Sequence, residues 1–150
     1  MNREKAIRMG HYEAIKNSLS YDGNPVHVYD STTTGEVPDE NIYVLLTTQS
    51  SVNASDFSRF RWNCVQSLEI VSKQMGSVSK DIVDDISEQI EQILTYVKNQ
   101  PGEGGMINQS GWSFQDVILE SVNYIEFDLS TNFYEIAKVL QISCIATKIS

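Results

Sequence analysis

Apolar residues return along this chain in two rhythms. Over residues 3–19, Ile7, His11, Ile15 and Leu19 recur every four positions with Ala14 beside them, which predicts a helix with one buried face. Gly10 interrupts that helix at a cost of about 1 kcal/mol relative to Ala, so a close packing contact is expected there. A second helix is predicted from Ser79, a good N-cap, to about Val97. Ile82, Ile86, Ile90, Ile93, Leu94 and Val97 form its stripe, and Asp84, Asp85, Glu88 and Glu91 lie largely off it. Asp81 suits the positive end of the helix dipole.

The other runs have the rhythm or composition of strands. Val26–Asp30 is short, and Ile42–Thr48 is a continuous β-branched run expected to be covered on both faces. In the next strand Phe60, Trp62, Cys64, Leu68 and Ile70 occupy even positions, with polar residues between them. That period of two turns the even set toward a core. Gln66 breaks the series, and a bulge near Val65 would explain it. Val117–Leu129 and Phe133–Ile149 read as two more strands, joined by a hairpin turn at Ser130-Thr131-Asn132. A helix over Tyr134–Leu140 is an alternative, but the β-branched residues of 142–149 favour strand. The loops are 31–41, 49–58 and a glycine-rich stretch at about 99–115, expected to be long and flexible.

The order α-β-β-β-α-β-β predicts an α+β fold. Its largely antiparallel or mixed sheet has about five strands, with both helices packed on one face. A chain of 150 residues fits a single domain, 1–150, with a core that needs no staples. A hydrophobic fraction of 41% separates it from disordered chains. No apolar run is long enough for a membrane helix, and the charged start lacks a signal core, so folding in the cytoplasm is expected.

Candidate chemistry is sparse. His11 reads as a buried imidazole on the helix stripe and His27 as an outward strand residue. Cys64 and Cys144 read as reduced core thiols; a bridge stays open if their strands are neighbours. Gly102-Glu103-Gly104-Gly105 lacks the Lys-Ser/Thr ending of a phosphate loop. Asp81 and Asp85 share one helix face, as do Asp84 and Glu88, and such pairs can hold Mg²⁺. A solvated acidic face is the simpler reading. Phe60 and Trp62 read as core; Phe57, Trp112 and Phe114, in or beside polar loops, are candidates for subunit contacts. A net charge of −9 argues against a grip on nucleic-acid backbone.

These residues also carry a resemblance. Pro25-Val26-His27-Val28-Tyr29-Asp30, Val37-Pro38, Tyr43-Val44-Leu45-Leu46, then Ser67–Lys73, Gly76-Ser77 and the helix from Ser79 follow one another as in phage tail terminator (tail completion) proteins. The likeness covers roughly 3–98. It implies a structural virion protein, made in the host cytoplasm, with no enzymatic activity, cofactor or metal. Such proteins form rings, with a hexamer favoured and a dodecamer possible, that end the tail tube and join it to head completion or neck proteins. Double-stranded DNA passes through without specific binding. On that reading Phe57, Arg59, Arg61, Trp112 and Phe114 are candidate subunit-interface residues. Asp84, Asp85, Glu88 and Glu91 are a candidate acidic lumen face. The alternatives are a head-tail connector or neck ring of a short-tailed phage, a small magnesium-dependent enzyme using the Asp81–Glu91 face, and a monomeric adaptor that binds peptide at a sheet edge.

Overall fold

The strand-like runs of the sequence become the strands of one sheet. The computed structural model describes residues 1–30, 40–77, 79–97, 100–101 and 105–149. In chain order the elements are α1 (Arg3–Ile15), β1 (Ser20–Tyr21), β2 (Asn24–Pro25), β3 (His27–Asp30), β4 (Ile42–Asn53) and β5 (Arg61–Met75). They continue with α2 (Asp81–Leu94), β6 (Tyr96–Val97), β7 (Gln100–Pro101), β8 (Trp112–Ser130) and β9 (Phe133–Lys148). Five strands form one mixed sheet in the order β3-β4-β5-β9-β8. Only its β3–β4 pairing is parallel. The pairs β1–β2 and β6–β7 are small hairpins beside it.

Both helices cover the same face, as the apolar stripes require. Ile7 and Ile15 of α1 and Val83, Ile86, Ile90 and Leu94 of α2 share one core with Val44, Leu46, Leu68, Ile70, Leu140 and Ile142 of the sheet. Among the described residues the opposite face carries only a small cluster of Tyr43, Val71 and Ala137, with Tyr29 and Leu45 against it. The sheet is therefore packed on one side and largely open on the other, so β4 is only partly covered on its second face.

Several local expectations are corrected. Helix α1 stops at Ile15, because the backbone tightens into a turn with Ser18 N donating to Ile15 O. Leu19 is buried nonetheless. Helix α2 stops at Leu94 and its N-cap position is Lys80, which makes no capping bond. Ser79 still contributes, since its Oγ accepts from Asp81 N at 3.2 Å. Strand β5 has no bulge: it pairs with β9 without a shift from Arg61 to Met75. The irregularity lies in β4, between Leu46 and Gln49. Gln66 keeps the core face, and its Nε2 donates to the Thr48 carbonyl at 3.3 Å and the Ser67 carbonyl at 3.1 Å. Phe60 lies just outside β5 and is 68% exposed, so it is not a core residue.

Residues 49–53 extend β4, and β8 begins at Trp112, so both neighbouring loops are shorter than expected. Part of the 99–115 stretch is tied down. Gly105 N donates to Leu94 O at 2.9 Å, and Ile107 N to Gly10 O at 3.1 Å. The Val37-Pro38 turn, the rest of 31–39, and residues 98–99 and 102–104 lie outside the described residues. Cys64 and Cys144 are direct register partners across β5 and β9, both buried and both free. The Cys64 thiol donates to the Trp62 carbonyl at 3.5 Å, and its sulfur meets that of Cys144. That contact, more than burial, pushes the Cys144 pKa up, and it draws the Cys64 pKa down. No described helix is long and apolar enough to cross a membrane.

Candidate assembly surfaces

The β4–β5 turn is built by one carboxylate. Asp56 Oδ1 accepts from Ser58 N at 2.9 Å, Ser58 Oγ at 2.9 Å and Arg59 N at 3.0 Å, while Oδ2 accepts from Arg61 Nη2 at 2.8 Å. The bonds from Ser58 lead in holding this carboxyl below its ordinary range, helped by Arg59 N–H and the Arg61 charge. At the base of the turn Ala54 N donates to Arg61 O, and Ser55 Oγ bonds Arg61 N. A turn closed this way holds Phe57 at its tip, fully exposed. Arg61 is committed to Asp56, whereas the Arg59 guanidinium meets no carboxylate among the described residues.

Trp112 and Phe114 do not join that surface. Both are buried: Trp112 donates its indole N–H to Met1 O at 3.1 Å, and Phe114 packs over Gly10. They pin the start of β8 to α1, which removes them as exposed subunit contacts. Trp62 is half-buried, and its ring lies 3.5 Å from the Arg3 guanidinium carbon.

The four acidic residues of α2 divide. Asp84 faces the sheet: its Oδ1 accepts from Lys138 Nζ at 2.9 Å and Tyr124 OH at 2.6 Å. Burial works against its ionisation, but those two hydrogen bonds and the Lys138 and Lys80 charges outweigh it and hold the carboxyl low. Burial likewise opposes charge on Lys138, and the bonds to Asp84 and Tyr124 outweigh it and raise that pKa. Asp85 and Glu88 are exposed and occupied locally, by Gln89 and Gln92, and Glu91 is half-buried. Among the described residues no three His, Cys, Asp or Glu side chains converge to hold a metal ion.

Two features escaped the sequence reading. The first is a polar cluster at the β3 edge, where His27 Nδ1 lies 2.5 Å from Glu40 Oε1 and Tyr29 OH donates to the same oxygen at 2.7 Å. That bond leads in raising the Tyr29 pKa to about 12. Burial opposes ionisation of Glu40, but the bonds from His27 and Tyr29 and the His27 charge hold it low. His27 does point outward, as expected. The second is strand β8, exposed at every residue from Val122 to Ser130. The available signal was that its apolar residues fall on both parities, Val122 and Tyr124 alongside Ile125, Phe127 and Leu129. A strand with one buried face does not have that pattern.

No protein-family model matches this chain, and no curated protein matches it. Among solved structures it is similar to a chain of the "Virion of native gene transfer agent (GTA) particle", with a TM-score of 0.54 and 12% identity over 79% of this chain and 78% of that chain. At that identity the likeness is one of fold.

Proposed function

We propose that this protein is a structural component of a virion that assembles into a closed ring at the head–tail junction. There it ends the tail tube and joins it to neck proteins. It transforms no substrate. The observation that carries the reading is the fold shared with a chain of a gene transfer agent virion over most of both chains. The order of short motifs from Pro25 to the α2 helix, similar to tail terminators, supports the finer placement. A ring contact is heterologous, so each copy must present two different patches. The exposed Phe57 turn and the β8 edge, which no described strand covers, are two such patches on one chain.

DNA passes through the lumen because little there holds phosphate. Of the candidate lumen residues Asp84, Asp85, Glu88 and Glu91, the exposed Asp85 and Glu88 line that conduit; Asp84 is neutralised by Lys138 and serves packing instead. Imaging of assembled particles by electron cryomicroscopy tests the reading. An annulus of this chain between head and tail is expected, with α2 toward the channel. Particles without it, or purified protein that turns over a nucleic acid or small molecule, would overturn it.

A further inference from the structure

Strand β8 outruns the core beneath it. It is an edge strand of 19 residues, and no described strand pairs with its outer side. Bare edges of this length invite another strand or surface, and chains commonly blunt them with Lys, Pro or bulges. Strand β8 contains no Lys, Arg or Pro. Its stretch from Ser121 to Asp128 pairs with β9 without a bulge, the register shifts lying between Gln115 and Ile118, Leu119 and Ser121, and Asp128 and Ser130. Its distal half instead combines exposed Ile125, Phe127 and Leu129 with the acids Glu126 and Asp128. Neither acid meets a cation among the described residues.

The far end of the sheet carries the complement. Phe57 and Phe60 are exposed there, Arg59 is unpaired among the described residues, and Lys148 N bonds Phe60 O at 2.9 Å. Arg61 of β5 pairs with Thr147 at this end, and Met75 pairs with Phe133 beside the β8–β9 turn at the other. Fourteen strand steps separate them, roughly 45 Å at 3.3 Å each. The two patches of one copy therefore cannot meet each other.

We propose that the acidic, apolar β8 edge of one copy docks on the Phe57–Arg59 turn of the next. Glu126 and Asp128 fall on one face of β8 and Ile125, Phe127 and Leu129 on the other, so the turn straddles the edge: Arg59 meets the two acids, and Phe57 closes against the apolar side chains. The contact rests on the ring reading, which needs two unlike patches. The occupant is a second copy because one chain carries both halves. With 20 acidic residues against 11 basic ones, copies of this chain repel at most orientations, and an attractive one must use the few free cations.

The test is sedimentation velocity on the purified full chain and three variants: Arg59→Glu, Glu126→Lys with Asp128→Lys, and all three changes together. The natural chain associates with rising concentration. Each reversal sets like charges face to face and weakens association about a hundredfold, and the triple variant recovers it. Circular dichroism should be the same for all, since surface changes of this kind move stability little. A natural chain that stays monomeric at every concentration overturns the contact, as does association indifferent to either reversal or unrecovered in the triple variant. The ring reading fails separately. An annulus in particles built from reversal-insensitive protein keeps the ring and removes this contact; charge rescue without an annulus does the opposite.

Discussion

Lys138 crosses from the sheet to α2 and places its Nζ 2.9 Å from Asp84 Oδ1. The pair is lopsided: the Lys138 side chain is 10% exposed and that of Asp84 46%. Removing the carboxylate strands a nearly buried ammonium, whereas removing the ammonium leaves a carboxylate that water still reaches. Asp84→Ala should therefore destabilise the fold by about 2 kcal/mol, discounted from the fully buried case for the exposure of Asp84. Lys138→Met, which keeps the apolar stem, should cost less than about 1 kcal/mol. Urea unfolding of both variants checks the order.

Gly10 lets α1 sit against the segment leading into β8. A Cβ there would lie 2.8 Å from Phe114 Cε2, 3.0 Å from Met106 Cε and 3.2 Å from the Ile107 carbonyl oxygen. Alanine gains about 1 kcal/mol of helix propensity but must push a buried ring and a backbone oxygen aside, at about 1–3 kcal/mol. Gly10→Ala should be destabilising by about 1 kcal/mol, and Gly10→Val, with less propensity to gain and more to fit, by more than about 2 kcal/mol. Thermal unfolding measures both.

His11 makes the fold sensitive to mild acid. It is fully buried; Nδ1–H donates to the Ile7 carbonyl at 2.8 Å, and Nε2 has no partner among the described residues. Burial draws its pKa from 6.5 down to about 4, against a smaller opposing effect of the Ile7 bond. The unfolded chain thus takes up the proton first. Stability is whole above about pH 6.5, falls as the pH drops, and levels off below about pH 4 after a loss of about 3 kcal/mol. Asp84 and Glu40, whose carboxyls are held low, add losses only at more acid pH, as the pH falls through their depressed values. Urea midpoints from pH 7 to pH 4 should decline for the natural chain, and His11→Leu should flatten that decline.

What was legible in the sequence followed from local periodicity. The α2 stripe and the alternation of β5 and β9 each report one buried face, and together they imply helices on one side of a sheet. The β4 bulge was not legible in the same way. Gln66 marks a break in an apolar series, but the extra residue sits in the partner strand, where it frees the Thr48 carbonyl for the Gln66 amide. Trp112 and Phe114 looked exposed because their sequence neighbours are polar. Their burial comes from Met1 and Gly10, more than a hundred residues away, and no window of the chain records that. Of the candidate contacts, Phe57 and Arg59 lie free on the surface because Asp56 and Arg61 close the turn beneath them.

That division of the aromatic residues separates stability from assembly. Phe57 projects from a turn closed by hydrogen bonds that do not involve its ring, so Phe57→Ala should change unfolding free energy by no more than about 0.5 kcal/mol. Trp112 fills core and bonds the Met1 carbonyl, so Trp112→Ala should cost about 3–5 kcal/mol. Assembly should reverse the ranking. Phe57→Ala removes an aromatic anchor from a protruding patch and should weaken self-association about tenfold while the fold stays intact. Trp112→Ala should keep its association in whatever fraction remains folded. Paired unfolding and sedimentation measurements check this, and equal association of Phe57→Ala and the natural chain would remove the turn from the interface.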